Sequence, residues 1–387
     1  MKKLLLVSLA LCLTVGASAQ SKQGASNLPV IDIKKEYPKK KLLLKDIATA
    51  EYIPLETSDK VLLDAVATMH CSFTDHYMTT YNAKEGQIFV FDRKGKICHT
   101  FNRNGGSGEE YTYPMQVRLD EKAKELFVLD VSNKILVYSM DGKYKRTLSV
   151  PEDVRIEIMY NCDSQYLLCY DSYMLDRPGK QPNSRPYLLV SKKDGNISRL
   201  PVTIKDRVGK RIYITQGSQT VAVSMSLFPM ANSGSEFILA DLAADTVYSY
   251  RNRKLTPLFV RTPKADASEP KLVMQCYAKI GKYLLMSTAL KKYEPGKNSF
   301  DVKGFAFDTV EKKVYDLDFE DLDFTPARSM RIGGRLPEVP ENCNFDAWDA
   351  DRLLDMLEKG KLAGNLKKAA EKMTIDDNPL IILYKFK

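Results

Sequence analysis

Histidine is almost absent from this chain, with three among 387 residues. That is too few for a multi-histidine metal centre or a histidine relay. No two cysteines stand at C-x-x-C spacing, so the usual signature of a zinc site or a dithiol redox motif is missing. Tryptophan occurs once, at Trp348, which leaves no set of broad indole platforms of the kind carbohydrate sites use. No stretch reaches the roughly 18 apolar residues of a membrane-spanning helix. Charge of a single sign is also missing as a block: 58 Lys+Arg stand against 49 Asp+Glu, a net +9 spread along the chain. The one dense basic run is Lys39-Lys40-Lys41, close to Lys34 and Lys35. Nucleic-acid binding would want such charge aligned with stacking aromatics in a recognisable module. No nucleic-acid partner is therefore expected, and the run reads as a solvated strand. An apolar content of 44% excludes a disordered chain. The length exceeds that of a single compact core, which points to several domains or to one large closed β architecture.

The chain opens with Met1-Lys2-Lys3, an apolar run over 4–15, and Ala17-Ser18-Ala19 before Gln20. A basic start, a short apolar segment and small residues at −3 and −1 form a secretory signal peptide over 1–19, followed by a flexible tail over 20–29. Losing Lys2 and Lys3 lowers the net charge from +9 to +7. Cys12 partly resembles a lipoprotein cysteine, but Leu11 stands where a small residue is wanted, so no lipid anchor is expected. The exported protein is placed in the periplasm or outside the cell. Six cysteines remain: Cys71, Cys98, Cys162, Cys169, Cys276 and Cys343. Cys98, Cys169 and Cys276 lie in or beside apolar strand-like runs and are expected as buried free thiols. Cys162 and Cys169 are the nearest pair in sequence.

One short apolar block recurs at 77–81, 126–130, 166–170, 237–241, 283–287 and 380–384, rich in β-branched and aromatic residues. Most copies are followed by a second strand that ends in a tight turn. These turns fall at Gly95, Gly142, Gly195, Asn252-Arg253 and Glu311-Lys312, spaced roughly 47, 53, 58 and 59 residues apart. No helical pattern intervenes, so βαβ units are excluded. Four-stranded propeller blades fit, and six copies give six blades. One helical stretch comes late, over 346–374: Asp346 as cap, Leu353, Leu354 and Leu357 on one side, Gly360 as a stop, then Leu362, Leu366, Ala369 and Met373. Strands at 30–33 and 51–55 precede the first full blade. A ring of sheets needs closure, so 51–55 is expected to share a sheet with 380–386. The fold predicted is all-β: a single six-bladed β-propeller over 30–387, with a short helical insertion in the last blade, closed by N- and C-terminal strands.

These residues resemble a known family, the six-bladed β-propeller proteins exported by gut-type Gram-negative bacteria and related to NHL-repeat propellers. The resemblance rests on 50–57, on 88–96 followed by 102–111, and on 377–384. It covers the chain from about Val30 onward. Two features depart from the pattern. The family's Gly-x-Gly-Pro-Gly-Glu-Tyr loop reads here Gly106-Ser107-Gly108-Glu109-Glu110-Tyr111, without the proline, and the lipoprotein cysteine of many relatives is missing. The resemblance implies a propeller and no established reaction.

Arg103, Glu109, Glu110 and Tyr111 flank the glycine loop at 105–108 and form the best polar cluster for a ligand face. That loop lacks the following Lys-Ser/Thr and opens no helix, so it is not a P-loop and reads as a blade connection. His70, Cys71 and His76 have no metal-ligand spacing, and His99 stands alone. The acidic stretch 316–323 alternates with Leu317, Phe319 and Leu322, as a half-exposed strand does, and lacks the glycine of a calcium loop. Arg328, Arg331 and Arg335 could meet an anionic ligand, although a solvated loop fits them better. No catalytic residue, metal or cofactor is expected. The reading is an exported, non-enzymatic binding or scaffolding propeller, a monomer whose partner is a protein, peptide or glycan. The alternative is a propeller lyase or hydrolase acting on a polysaccharide or lactone, with carboxylates paired across blades at the central mouth.

Overall fold

The recurring apolar block is continuous rather than alternating because both faces of each strand are covered by neighbouring sheets. The computed structural model describes residues 28–64, 66–294, 300–329 and 337–387. The N-terminal segment forms β1 (Val30–Asp32), β2 (Lys39–Leu43), the single turn α1 (Leu44–Ile47) and β3 (Ala48–Pro54). Blade one is β4 (Ser72–Phe73), β5 (Tyr77–Asn82), β6 (Gln87–Asp92) and β7 (Ile97–Asn102). Blade two is β8 (Pro114–Asp120), β9 (Glu125–Asp130), β10 (Ile135–Ser139) and β11 (Tyr144–Leu148). Blade three is β12 (Ile156–Asn161), β13 (Tyr166–Asp171), β14 (Tyr187–Ser191) and β15 (Ile197–Arg199). A separate hairpin, β16 (Arg211–Gln216) and β17 (Gln219–Ser224), precedes blade four: β18 (Met230–Ser233), β19 (Glu236–Leu239), β20 (Thr246–Arg251) and β21 (Lys254–Thr262). Blade five is β22 (Leu272–Ile280), β23 (Tyr283–Leu290), β24 (Val302–Asp308) and β25 (Lys313–Asp321), with β26 (Arg328–Ser329) folded back on β25. Then come β27 (Cys343–Trp348), the helices α2 (Ala350–Glu358) and α3 (Gly364–Ala370), and β28 (Leu380–Phe386).

Adjacent sheets share six apolar clusters, which close the ring. In β9, Leu126 and Val128 face blade one while Phe127 and Leu129 face blade three. In β28, Leu380, Ile382, Tyr384 and Phe386 pack toward blade five and the helices, and Ile381 and Leu383 toward blade one. The predicted hairpin turns all adopt positive φ, including the non-glycine residues Asn252, Arg253 and Lys312. Glycine is required at Gly142, where a Cβ would lie 2.4 Å from Cγ of Phe101 at the end of the preceding blade's outer strand. Gly95 holds the same place against the Pro54 carbonyl, so β3 is the outer strand of blade six.

Closure follows the predicted pairing, with Ile381 opposite Ile53 and Leu383 opposite Glu51 in a sheet ordered β27-β28-β3. Asp346 does not cap the late helix: it lies within β27, whose strand runs on to Trp348, and Asp349 takes the N-cap position of α2. Two further details differ from the sequence expectation. The block at 380–384 is the middle strand of a three-stranded sheet, whereas the other five copies are second strands of their blades. The N-terminal segment does more than precede blade one: β1 adds in parallel to β21 and β2 to β25, so a belt crosses blades four, five and six in turn. The basic run and the acidic run are each other's partners. Lys39 pairs with Asp316 and Lys41 with Asp318, and Lys41 Nζ lies 2.6 Å from Glu320.

The cysteines are free among the described residues. Cys98 is exposed, contrary to expectation. Its strand β7 is the outer one of its blade, half-buries only alternate residues and turns Ile97 inward instead. The signal peptide, Cys12 and the tail up to residue 27 lie outside the described residues, as do Arg331 and Arg335.

Candidate functional site

In an antiparallel meander, the links between blades and the loops between second and third strands emerge on one face. The connection from β7 to β8 carries Arg103, Glu109, Glu110 and Tyr111 on that face, and local hydrogen bonds bring them together. Tyr111 is fully buried; its Oη donates to the Gly86 carbonyl (2.6 Å) and accepts from the Arg103 N–H (2.9 Å), and burial pushes its pKa up to about 12. Arg103 Nε donates to the Gly142 carbonyl at 2.8 Å. Glu110 accepts from the Ser107 N–H at 2.9 Å, and the hydrogen bonds from Ser107 hold its carboxyl below the usual range. The Glu109 carbonyl accepts from Tyr138 Oη at 2.7 Å while its carboxylate is exposed. Most of this cluster's polar atoms are therefore spent on the turn that joins two blades.

The remaining sequence candidates are dispersed. His70 stacks on Tyr81, and His76 reaches Glu121 at the other end of β5. Arg328 lies over the rings of Phe324 and Trp348. No group of three or more His, Cys, Asp or Glu is arranged to hold a metal ion among the described residues.

Two insertions on the connection face build a cleft that no sequence motif marks. The loop joining β13 to β14 is long, and the link from blade three to blade four carries the β16–β17 hairpin. Between them and the starts of β8 and β12 lies a cleft of about 710 Å³. Met115, Ile156 and Glu157 form its floor, Tyr173, Met174 and Asp176 one wall, and Lys210, Arg211 and Tyr213 the other. Tyr213 Oη donates to the Asp176 carbonyl and the Arg211 N–H to Asp176 Oδ1 (3.0 Å), which ties the walls together. Lys210 pairs with Glu157. Met174 holds a φ of 61°, a left-handed backbone that a side chain of this size adopts at a cost. Arg155 and Arg177 also line the cleft, are exposed, and have no side-chain partner among the described residues. Met115 is 44% exposed despite its apolar side chain.

Further along the same inner strands, the centre of the ring is crossed by residues 338–341. The Glu338 carbonyl accepts from Phe73 of blade one, while the Val339 carbonyl accepts from Gly234 and its N–H donates to Asn232, both of blade four. The Glu338 side chain is 12% exposed; its carboxylate accepts from the Asn161 N–H at 2.9 Å and lies 3.5 Å from Arg118 Nε. Arg118 in turn donates to Ser72 Oγ and the Met159 carbonyl. Burial pushes the Glu338 carboxyl up from 4.5 to about 7, against the pull of Arg118 and Asn161. The folded chain thus disfavours the ionised form, and stability should fall as pH rises from about 4.5 to about 7, by a few times 1.4 kcal/mol at most. Glu338→Gln keeps the acceptor for Asn161 without the charge. Its melting temperature should exceed that of the parent at about pH 8 and lose this advantage at about pH 5. An equal difference at both pH values would exclude this coupling.

The fold is that of a six-bladed β-propeller with an occupied centre. The chain belongs to the family described as Domain of unknown function (DUF4934), whose model matches residues 28–294. No curated protein matches it. Among solved structures it is similar to a Bacteroides fragilis NCTC 9343 protein named as exported, at 11% identity and a TM-score of 0.62, over 93% of this chain and 100% of that one. A DUF4221 family member from Bacteroides vulgatus is also similar, at 8% identity and a TM-score of 0.48, over 88% and 97%. At 11% identity the likeness to the Bacteroides fragilis protein is one of fold. No helix among the described residues is long and apolar enough to cross a membrane.

Proposed function

We propose that this chain is an exported, non-enzymatic binding propeller, working in the periplasm or at the cell surface, that holds a protein segment, peptide or glycan in the cleft over blades two and three. The observation that carries this reading is that two separate insertions wall the same cleft, over a floor that leaves Met115 bare and with Arg155 and Arg177 lacking side-chain partners among the described residues. Bare apolar surface beside free charge on a rigid scaffold suits recognition of an extended polar chain. At the centre the Glu338 carboxylate is held by Arg118 and Asn161, which fits a structural role better than that of one of the two carboxylates glycoside hydrolysis sets about a scissile bond. The four residues of the β7–β8 connection frame the same face and are assigned to supporting it.

The test is selection of displayed peptides, in parallel with a glycan panel, on the purified protein. Met115→Glu and Arg155→Glu should each weaken the selected ligand about tenfold or more, as loss of a buried contact does. Val310→Glu, on an exposed hairpin turn, should not. Selected ligands indifferent to both cleft variants, or catalytic turnover of a polysaccharide or lactone, would overturn the reading.

A further inference from the structure

The hairpin that walls the cleft also carries an unguarded sheet edge. β16 and β17 pair only with each other, with Gln216 opposite Gln219 around the turn at 217–218 and Ile212 opposite Val223. In a hairpin with a two-residue turn the flanking pair is hydrogen-bonded, and hydrogen-bonded pairs recur at every second residue. They therefore fall at 214–221 and 212–223, in phase with the bond from the Met225 N–H to the Lys210 carbonyl. The backbone groups of Thr220, Ala222 and Ser224 consequently point away from β16, and none has a partner among the described residues. On the opposite edge, the Arg211 N–H donates to Asp176 Oδ1, which ties the base of β16 to the neighbouring loop.

Natural edge strands are protected by lysine, proline, a bulge or shortness. β17 (Gln219–Ser224) has none of the first three: it contains no charge, no proline and no bulge, and Val221 is 53% exposed. It is also complementary to itself. Placed antiparallel on a twofold through Ala222, it sets Ala222 against the partner's Ala222, Thr220 against the partner's Ser224, and Val221 against the partner's Val223. The free groups at 220, 222 and 224 then meet as hydrogen-bonded pairs, each exchanging two N–H···O bonds. Val221 and Val223 meet across the closer, non-bonded pair, on the same face as Ile212 and Ile214. Because the strands run in opposite directions, the two hairpin bases, and with them the two rings, lie at opposite ends of the four-stranded ribbon.

We propose that β17 is a homodimerisation edge, joining two copies of this chain through a continuous β-ribbon in place of the monomer expected from the sequence. The arrangement is isologous, so it closes at two copies. A ribbon of this size supports a weak, concentration-dependent dimer and not an obligate one. The inference does not depend on what the cleft holds.

Sedimentation of the full chain over a wide concentration range tests it. A monomer–dimer equilibrium is expected. Ala222→Lys sets two ammonium groups face to face and should weaken the dimer about tenfold or more, while Thr215→Lys, on β16 and away from the paired edge, should leave it unchanged. Thr220→Lys combined with Ser224→Glu on one chain places opposite charges across the twofold and should strengthen the dimer at low salt. This gain cannot arise from a damaged hairpin. A monomer at every concentration, a dimer indifferent to Ala222→Lys and to the charge pair, or capture of a foreign strand by a chain that stays monomeric would overturn it.

Discussion

Deleting residues 380–387 should abolish cooperative unfolding. β28 is the middle strand of its sheet, bonded to β27 on one side and β3 on the other, so its loss opens two edges at once. Leu380, Ile381, Ile382, Leu383, Tyr384 and Phe386 are all buried, and they belong to both clusters that seal blade six into the ring. At about 1.5–3 kcal/mol for each side chain, the loss is on the order of 10 kcal/mol. That matches the whole stability of a typical domain, about 5–15 kcal/mol. The truncated chain should aggregate or melt without a sharp transition in calorimetry. A chain beginning at Leu44 is the contrast. It loses β1 and β2, which are added to sheets that already have four strands, and should still melt cooperatively at a lower temperature. If the chain without β28 melts near the parent temperature, the ring does not depend on this closure.

Arg207→Ala should cost about 3–5 kcal/mol, the penalty for leaving a buried charge without its partner. The Arg207 and Asp241 side chains are both fully buried, with Arg207 Nε 3.2 Å from Asp241 Oδ2. Arg207 also donates to the carbonyls of Asn183 and Asp171, the two ends of the long β13–β14 loop, and Tyr170 Oη donates to Asp241. One guanidinium thus anchors the loop that forms one cleft wall and the segment that leads into the hairpin forming the other. Denaturant unfolding should show the loss, and cleft ligands should weaken with it. Replacing both partners, Arg207→Met with Asp241→Leu, should recover much of the stability, since a buried pair repays little more than its own desolvation. A double variant as unstable as the single one would show that the hydrogen bonds to the loop, and not the ion pair, carry the effect.

The legible part of this protein was its repeat. The strands that lie in the middle of a sheet are buried on both faces, so they stand out as short apolar runs, and the tight turns between outer strands announce themselves by Gly95, Gly142 and Gly195. Even Asn252-Arg253 and Glu311-Lys312 could be placed, because each follows a strand-like run, and the spacing that results matches the other blades. The innermost strands were harder to read. β4 has two residues, and β8 and β12 expose or half-bury Met115 and Glu157 at the cleft, so hydrophobic pattern alone does not mark them.

Among the polar residues, sequence reasoning pointed to the glycine loop because glycine and charge cluster there. In the structure Tyr111 Oη accepts from the Arg103 N–H and Glu110 accepts from the Ser107 N–H, so part of that clustering serves the tight connection between blades. Met115, Arg155 and Arg177 carry no motif, and they meet only because two insertions lie side by side after the ring has formed. Glu338 lies outside the strands and helices, and nothing in its neighbours in sequence announces a buried carboxyl.

The amino-acid sequence by itself determined the blade count, the turn positions, the late helices and the pairing of 51–55 with the C-terminal strand. All of these follow from local periodicity, from turn chemistry and from the requirement that a ring leave no open edge. Tertiary structure alone decided that the lysines of β2 lie against the carboxylates of β25, that residues 338–341 fill the centre, that Cys98 faces outward, and that the cleft exists. Each of these depends on which segments distant in sequence become neighbours. Side-chain pattern reports the environment a strand needs but not which partner provides it.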